Sequence, residues 1–474
     1  MTERRLVAGV DSSTQSCKVV VCDAATGEVV REGRAKHPDG TQVHPDRWWE
    51  AYQEAVSGGL LDGVSAIAVG GQQHGMVALD EADTVVREAL LWNDTRSAGA
   101  AADLVAELGG PQAWASRIGV VPVASMTATK VRWLAEHEPE EAGRVATVVL
   151  PHDWLTGRVL QEGGGFTGWT TDRGDASGTC YWSSRSGEYD TDIMRCALGR
   201  EFGVPRVLGP SEAAGTTGSG LLVAAGTGDN MGAGLGLGLK PGDVAVSLGT
   251  SGTVFTTSQT CPDDPSGAVA GFADATGAYL PLMCTLNAAR VLTATATMVG
   301  VDLAELDRLA LAAEPGADGL SLLPYLDGER TPDLPDATGT LSGLTRSNAT
   351  PENLARAAVE GMLLNLVAGV TALRDQGADV ERVLLIGGAS ASAAVQQVAA
   401  HLFGVPVVVP ESREYVALGA ARQAAWALSG DAAAPEWPMA VSQPAQGRGT
   451  PEQAAEITGR YQGLLRTVHG VGSG

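Results

Sequence analysis

Positive charge is scarce in this chain of 474 residues. Lys and Arg number 32 against 55 Asp and Glu, a net charge of −23. The long-range field of such a surface repels nucleic acid and anionic membranes, so neither is expected as a partner. A nucleotide site must then rely on local donors, a cation, or both. Cysteine is sparse too. Cys17, Cys22, Cys180, Cys196, Cys261 and Cys284 lack metal-ligand spacing, so a structural zinc and a disulfide framework are not expected, and the scatter reads as reduced, core-filling thiols. No segment has the uninterrupted apolar length of a membrane span. The apolar run before Asp11 in MTERRLVAGVDSS is too short for a secretory signal, which makes the cytoplasm the expected location.

What is present describes a globular protein, with 44% hydrophobic and 18% charged residues. At about 100–200 residues per domain the length suggests two to four domains, and an internal repeat favours two. AGVDSSTQSCKVVV, from Ala8 to Val21, and AVSLGTSGTVF, from Ala245 to Phe255, share one design: an apolar strand, a Gly/Ser/Thr turn, and another apolar strand. Such a turn gathers N–H groups and hydroxyls into a concavity suited to phosphate oxygens. Two of them facing each other would grip a polyphosphate.

The first half reads as a β-meander over Leu6–Val10, Lys18–Cys22 and Glu28–Arg34. A helix follows over His44–Val56, with Trp48, Tyr52 and Val56 at helical spacing, and then a buried strand broken by Gly70 and Gly71. The second half repeats the plan, with strands around Ala270–Met283, a long helix over Pro351–Asp375, and the strand VLLI ending at Gly387 and Gly388. Ser390 or Ser392 is placed to cap the next helix. Residues 431–449 read as a connector, and 451–468 as a final helix before a fraying Gly/Ser end. The expected domains are 1–242 and 243–474.

Asp11, at the first turn, is a carboxylate that could reach the magnesium of a bound nucleotide, or a plain turn aspartate. Asp229 lies in AAGTGDNMGAG, where flanking glycines permit close approach of a substrate. It suits the base that accepts the proton of an attacking hydroxyl, with an Asx-turn as the alternative. His74 in GGQQHGM, helped by Gln72 or Gln73, could bond a polyol hydroxyl, although a lone histidine is more often structural. Trp92, Asn93, Asp94 and Arg96 in LLWNDTR are residue types that sugar sites use, or Asp94 and Arg96 form an internal ion pair. TTDRGDASGT, with Asp172 and Asp175, reads as a polar loop that lines a sugar site, binds a cation or is simply solvated. Glu329 and Arg330 in LPYLDGERTP read first as an interdomain ion pair.

Taken in order, GVDSSTQSCK, GGQQHGM, LLWNDTR, TDRGDASGT, GTGDNMGAG, SLGTSGT, LPYLDGERTP, IGGAS and LGAAR resemble the FGGY family of carbohydrate kinases along essentially the whole chain. The combination of QHG, LWND and GDN is similar to that of its xylulose-phosphorylating members. The resemblance implies an α/β fold of two ribonuclease-H/actin-like domains with sugar and ATP in an interdomain active-site cleft. It implies ATP-dependent phosphorylation of D-xylulose at its C5 hydroxyl, with Asp229 as general base, Asp11 near Mg2+, and Gln73, His74, Asp94 and Asn230 on the sugar. Ser13, Thr14, Gly249 and Thr250 would meet the phosphates, and Gly388, Ala389 and Ser392 the nucleoside. Another ketose or polyol, such as ribulose or arabinitol, is the alternative substrate. A non-catalytic actin-like ATPase or sugar sensor is the alternative of another class. Oligomeric state stays open, a homodimer among the possibilities.

Overall fold

A computed structural model describes residues 4–471. The Gly/Ser end at 472–474, expected to fray, lies outside the described residues. The chain folds into two compact units, each built on its own mixed sheet. The first takes Met1–Leu239, Gln259–Leu280 and Arg413–Pro438, and the second Lys240–Ser258, Pro281–Ser412 and Met439–Gly474. The chain therefore passes between the units repeatedly.

In the first unit, strands Leu6–Ser12, Ser16–Asp23 and Val29–Lys36 form the antiparallel meander, and Val64–Gly71 pairs parallel with the first of them. Leu222–Ala224 continues the parallel side, and Ala213–Thr216 closes that edge. Alternation along Leu6–Ser12 divides its side chains between two faces. Ala8 and Val10 join Val19, Val21, Ile67 and Val69 against Trp48 and Tyr52 of helix Asp46–Ala55 and Trp154 and Leu155 of helix Pro151–Glu162. Val7, with Val20, Cys22, Ala66 and Ala68, packs instead on Ala417, Ala420, Ala421 and Ala424 of helix Tyr415–Ser429.

That second face explains why a segment from late in the chain belongs to the first unit. The alanine-rich helix lies on the sheet at backbone distance, and a Cβ at Gly9 would fall 1.9 Å from the Ala417 carbonyl oxygen. The same helix meets helix Asp229–Leu237 as closely, with a Cβ at Gly419 falling 1.8 Å from the Gly232 carbonyl oxygen. Small residues on both partners permit this approach.

The second unit repeats the topology. Asp243–Leu248 and Gly252–Thr256 form the hairpin, Tyr279–Thr285 pairs antiparallel outside it, and Arg382–Ile386 and Val407–Val408 follow in parallel. The expected helix over 351–375 is Pro351–Asp375, capped by the Thr350 hydroxyl accepting from Asn353 N. By length and composition it could cross a membrane, but most of its apolar stretch is buried within this unit, as befits a core helix. The final helix is Pro451–His469.

Two local expectations change. Gly70 and Gly71 do not break their strand but complete it, pairing with Thr227 and Gly228. The segment 170–179 is not a solvated loop. Its strand Thr170–Asp172 and helix Arg173–Ser177 are largely buried, because Asp172 caps the helix through bonds from Gly174 N at 2.8 Å and Asp175 N at 3.0 Å.

Candidate active site

The first unit brings several of the expected residues to the ends of neighbouring strands. Asp11 lies opposite Lys18 in the hairpin and opposite Gly70 on the parallel side. The residue is 3% exposed, and its Oδ1 has no hydrogen-bond partner among the described residues. Oδ2 sits 3.4 Å from Lys18 Nζ, whose second partner is Glu414 Oε2 at 2.7 Å. Burial pushes the Asp11 carboxyl up to about 6, against the opposing pull of the Lys18 charge. A buried carboxylate oxygen lacking a donor suits a divalent cation or water held by one, so the residues present fit a magnesium site.

The hairpin turn beyond Asp11 is tied down by its own polar groups. Ser13 N and Oγ both donate to the Ser16 carbonyl, and Thr14 Oγ1 accepts from Trp92 Nε1 at 2.8 Å. Trp92 thus supports the turn through its indole N–H.

Asp229 opens helix Asp229–Leu237 immediately after the two-residue strand Thr227–Gly228. Its Oδ1 accepts from Asn230 N at 2.7 Å and from Asn230 Nδ2 at 2.9 Å. The same Nδ2 lies 3.4 Å from Gln73 Oε1, linking the two segments. Burial pushes the Asp229 carboxyl up to about 7; the bonds from Asn230 oppose the rise and the Asp11 charge adds to it. A half-buried carboxylate with a raised pKa at a strand end suits a proton acceptor working near neutrality.

His74 has the left-handed backbone angle φ of 67°, uncommon for a residue with a Cβ. Its Nδ1 lies 2.9 Å from the Gly178 carbonyl, which can only accept, so Nδ1 carries the hydrogen there. Its ring also packs on Phe272, at 5.5 Å between centroids. Gln72 is buried, and among the described residues neither of its amide atoms is hydrogen-bonded and Gln73 Nε2 likewise lacks a partner. Buried amides without partners are expected where a polar ligand completes them.

Asp94 is more committed than its neighbours. Oδ1 accepts from Arg96 N at 3.0 Å and Arg96 Nε at 2.8 Å, and Oδ2 accepts from Thr41 Oγ1 at 2.8 Å. Burial acts to raise its pKa, but the Arg96 and Thr41 donors hold it below the usual carboxylate range. The internal ion pair is therefore present.

The remaining expected residues belong to the second unit. Gly249 and Thr250 form the turn after strand Asp243–Leu248, and their carbonyls accept from Ala289 N at 2.9 Å and Ala288 N at 3.3 Å. Gly388 and Ala389 lie in the short 3-10 turn Gly388–Ala391 after strand Arg382–Ile386. Ser392 caps helix Ala393–Leu402 by accepting from Val395 N at 3.0 Å, while its hydroxyl donates to Asp307. What holds the Glu329 carboxylate is not the charge of Arg330 alone. The carboxylate is held by amides of its own unit: Leu286 N at 2.5 Å, Arg330 N at 2.9 Å, Asn287 Nδ2 at 3.0 Å and Asn365 Nδ2 at 3.1 Å.

Residues 6–236 match the N-terminal domain of the FGGY family of carbohydrate kinases, and residues 244–428 match its C-terminal domain. This chain belongs to the FGGY family of carbohydrate kinases. As a carbohydrate kinase it has the two-domain actin-like/ribonuclease-H-like fold and takes a sugar and ATP as substrates. This FGGY kinase is 50% identical over 448 residues to the xylulose kinase of Streptomyces coelicolor, covering 91% of this chain and 90% of that protein. It is 47% identical over 457 residues to the xylulose kinase of Streptomyces rubiginosus, covering 93% and 92%. Among solved structures it is similar to the xylulose kinase of Bifidobacterium adolescentis, with a TM-score of 0.89, 46% identity, and coverage of 97% of this chain and 99% of that one.

Sequence reasoning passed over three participants: Lys18, Glu414 and His152. Lys18 could have been found, since it follows the turn by the few residues that place it beside Asp11 in a tight hairpin. Glu414 carries no local signal, being almost four hundred residues away. His152 follows Leu150-Pro151 in a helix start with Asp153 behind it, a string that reads locally as an ordinary cap.

Proposed function

We propose that this kinase transfers the γ-phosphoryl group of ATP to the C5 hydroxyl of D-xylulose, giving D-xylulose 5-phosphate and ADP. The observation that carries the reading is the Asp229 carboxylate, half-buried and raised to about 7, beside the amides of Asn230 and Gln73. The two relatives that share about half of their residues with this chain, both xylulose kinases, support the choice of sugar.

In this reading Gln73, His74 and Asn230 bind and orient the sugar hydroxyls, with Asp94 at the border of that group. Asp229 accepts the C5 hydroxyl proton as the oxygen attacks the γ-phosphorus. The new O–P bond forms as the bond to the β-phosphate oxygen breaks, and ADP leaves with that electron pair. The transition state is loose, so positioning and charge neutralisation supply more of the rate than the base does.

Asp11 would hold magnesium, which when bound neutralises charge on the nucleotide phosphates. Ser13, Thr14, Gly249 and Thr250 are the proposed phosphate contacts. Gly388, Ala389 and Ser392 are the proposed nucleoside contacts, through backbone groups where the Ser392 hydroxyl is already engaged. We place the reaction in the cytoplasm.

A panel of ketoses and polyols in a coupled assay for ADP tests the substrate. D-xylulose is expected to give the highest kcat/KM, and a clear preference for ribulose or arabinitol would overturn the choice. ATP consumption with no phosphorylated sugar would favour a conformational ATPase instead.

A further inference from the structure

The segments that carry Gln73, His74 and Asp229 converge on a side chain with no role in the reaction just described. His152, near the start of helix Pro151–Glu162, is fully buried. One side of it meets backbone. A Cβ at Gly71 would fall 2.9 Å from the His152 Cβ, and one at Gly226 would fall 2.6 Å from its Cδ2 and 2.9 Å from its Nε2. Gly226 also has φ of +88°, so both space and conformation require glycine there. Gly71 ends the strand that leads into Gln72, Gln73 and His74, and Gly226 precedes Thr227-Gly228-Asp229. The two strand ends pair through Gly70 with Thr227 and Gly71 with Gly228. His152 fills the space beneath that junction.

The other side of the ring meets acid. Nδ1 is 2.8 Å from Asp153 Oδ1 and 3.0 Å from Asp175 Oδ2, and Nε2 is 3.4 Å from Asp172 Oδ1. All three aspartates are almost wholly buried. Asp153 is shared with the backbone, since its Oδ2 accepts from Leu150 N at 2.7 Å. Asp172 is shared with helix Arg173–Ser177, which it caps. Among the described residues the Asp175 carboxylate has no polar partner besides the His152 ring, which is its counter-charge. The helix holding Asp175 runs into Gly178, whose carbonyl takes the Nδ1–H of His74.

We propose that His152 is a positioning residue for the sugar side of the site, its ring the common anchor of the segments that carry Gln73, His74 and Asp229. The inference rests on the kinase reading above. Removing the ring opens a cavity at the strand junction and leaves buried carboxylates unpaired, so helix Arg173–Ser177 and its hold on His74 shift together. Among the described residues no hydrogen bond or ion pair joins the ring to Ser13 or Thr14, so the nucleotide side is expected to change less than the sugar side.

Steady-state kinetics of the wild type, His152→Gln, Asp175→Asn and the double variant, with sugar and ATP varied separately, test this. H152Q is expected to raise the sugar KM about tenfold or more while the ATP KM stays within about twofold. D175N should act in the same direction but less. The double variant should regain part of the loss, because removing one negative charge offsets the missing positive one. A general loss of packing would move both KM values alike and would not be relieved by a second mutation. Wild-type sugar KM in H152Q, or equal changes in both KM values, overturns the inference. Should H152Q fail to fold, as read by circular dichroism, D175N decides alone: a raised sugar KM with unchanged ATP KM supports the anchor, and an unchanged sugar KM overturns it. A wild type that phosphorylates no sugar overturns the kinase reading, and the anchor with it.

Discussion

Asn230 donates twice to one oxygen of Asp229, from its backbone N at 2.7 Å and from its side-chain Nδ2 at 2.9 Å. Both bonds favour the ionised form and hold the carboxyl below where burial alone would set it. Asn230→Ala removes the side-chain bond and should raise the Asp229 pKa further. The acid limb of the kcat/KM profile for sugar is expected to move upward by about half a unit to one unit. A pH–rate profile that stays in place would show that Asp229 does not govern that limb.

The base itself is tested by Asp229→Ala. A loss of about 10²–10⁴ in kcat is expected, the usual weight of a general base, with ATP affinity by titration calorimetry within about twofold of wild type. Turnover within tenfold of wild type would remove Asp229 from the mechanism.

Burial of these carboxylates also affects stability. The Asp11 and Asp229 carboxyls, at about 6 and about 7, bind protons more readily in the folded chain than when unfolded. Folding therefore takes up protons here, and these two groups make the protein less stable as pH rises from about 4 through 7. Asp229→Asn should melt above the wild type at pH 8, with the gap closing toward pH 4. Thermal melts at both values check the sign.

Gly9→Ala tests the packing of helix Tyr415–Ser429 on the first sheet. The added Cβ would meet the Ala417 carbonyl at 1.9 Å, a backbone atom that can yield only if the helix moves. A cost of at least about 1–3 kcal/mol is expected, as for overpacking generally, read as a lower urea midpoint.

In the second unit, Glu329→Ala would leave the Asn287 and Asn365 amides and two backbone N–H groups without their acceptor. About 2–4 kcal/mol of stability should be lost, since buried donors without partners are costly. Chemical denaturation measures it, and Glu329→Gln should recover part of the loss by retaining one acceptor oxygen.

Much of the architecture was legible along the chain because it depends on local pattern. The two hairpins appear at Leu6–Asp23 and Asp243–Thr256, and the long helix occupies Pro351–Asp375. Their apolar periods and turn residues act over a few positions, which a sequence displays directly. The segment 170–179 misled for the opposite reason. Its polar residues resemble a solvated loop until His152 and the Asp172 cap supply partners that only folding brings near.

The sequence by itself determined the two-fold repeat, the strand and helix periods, the excess of acid, and the motifs that mark a carbohydrate kinase. Tertiary structure alone decided that helix Tyr415–Ser429 completes the first sheet and that Lys18 lies between Asp11 and Glu414. It also decided that His152 is surrounded by three aspartates and that Asp229 is raised to about 7. Side-chain type and spacing are local properties. Desolvation and counter-charge are set by whatever distant segments pack nearby, so they exist only in the folded chain.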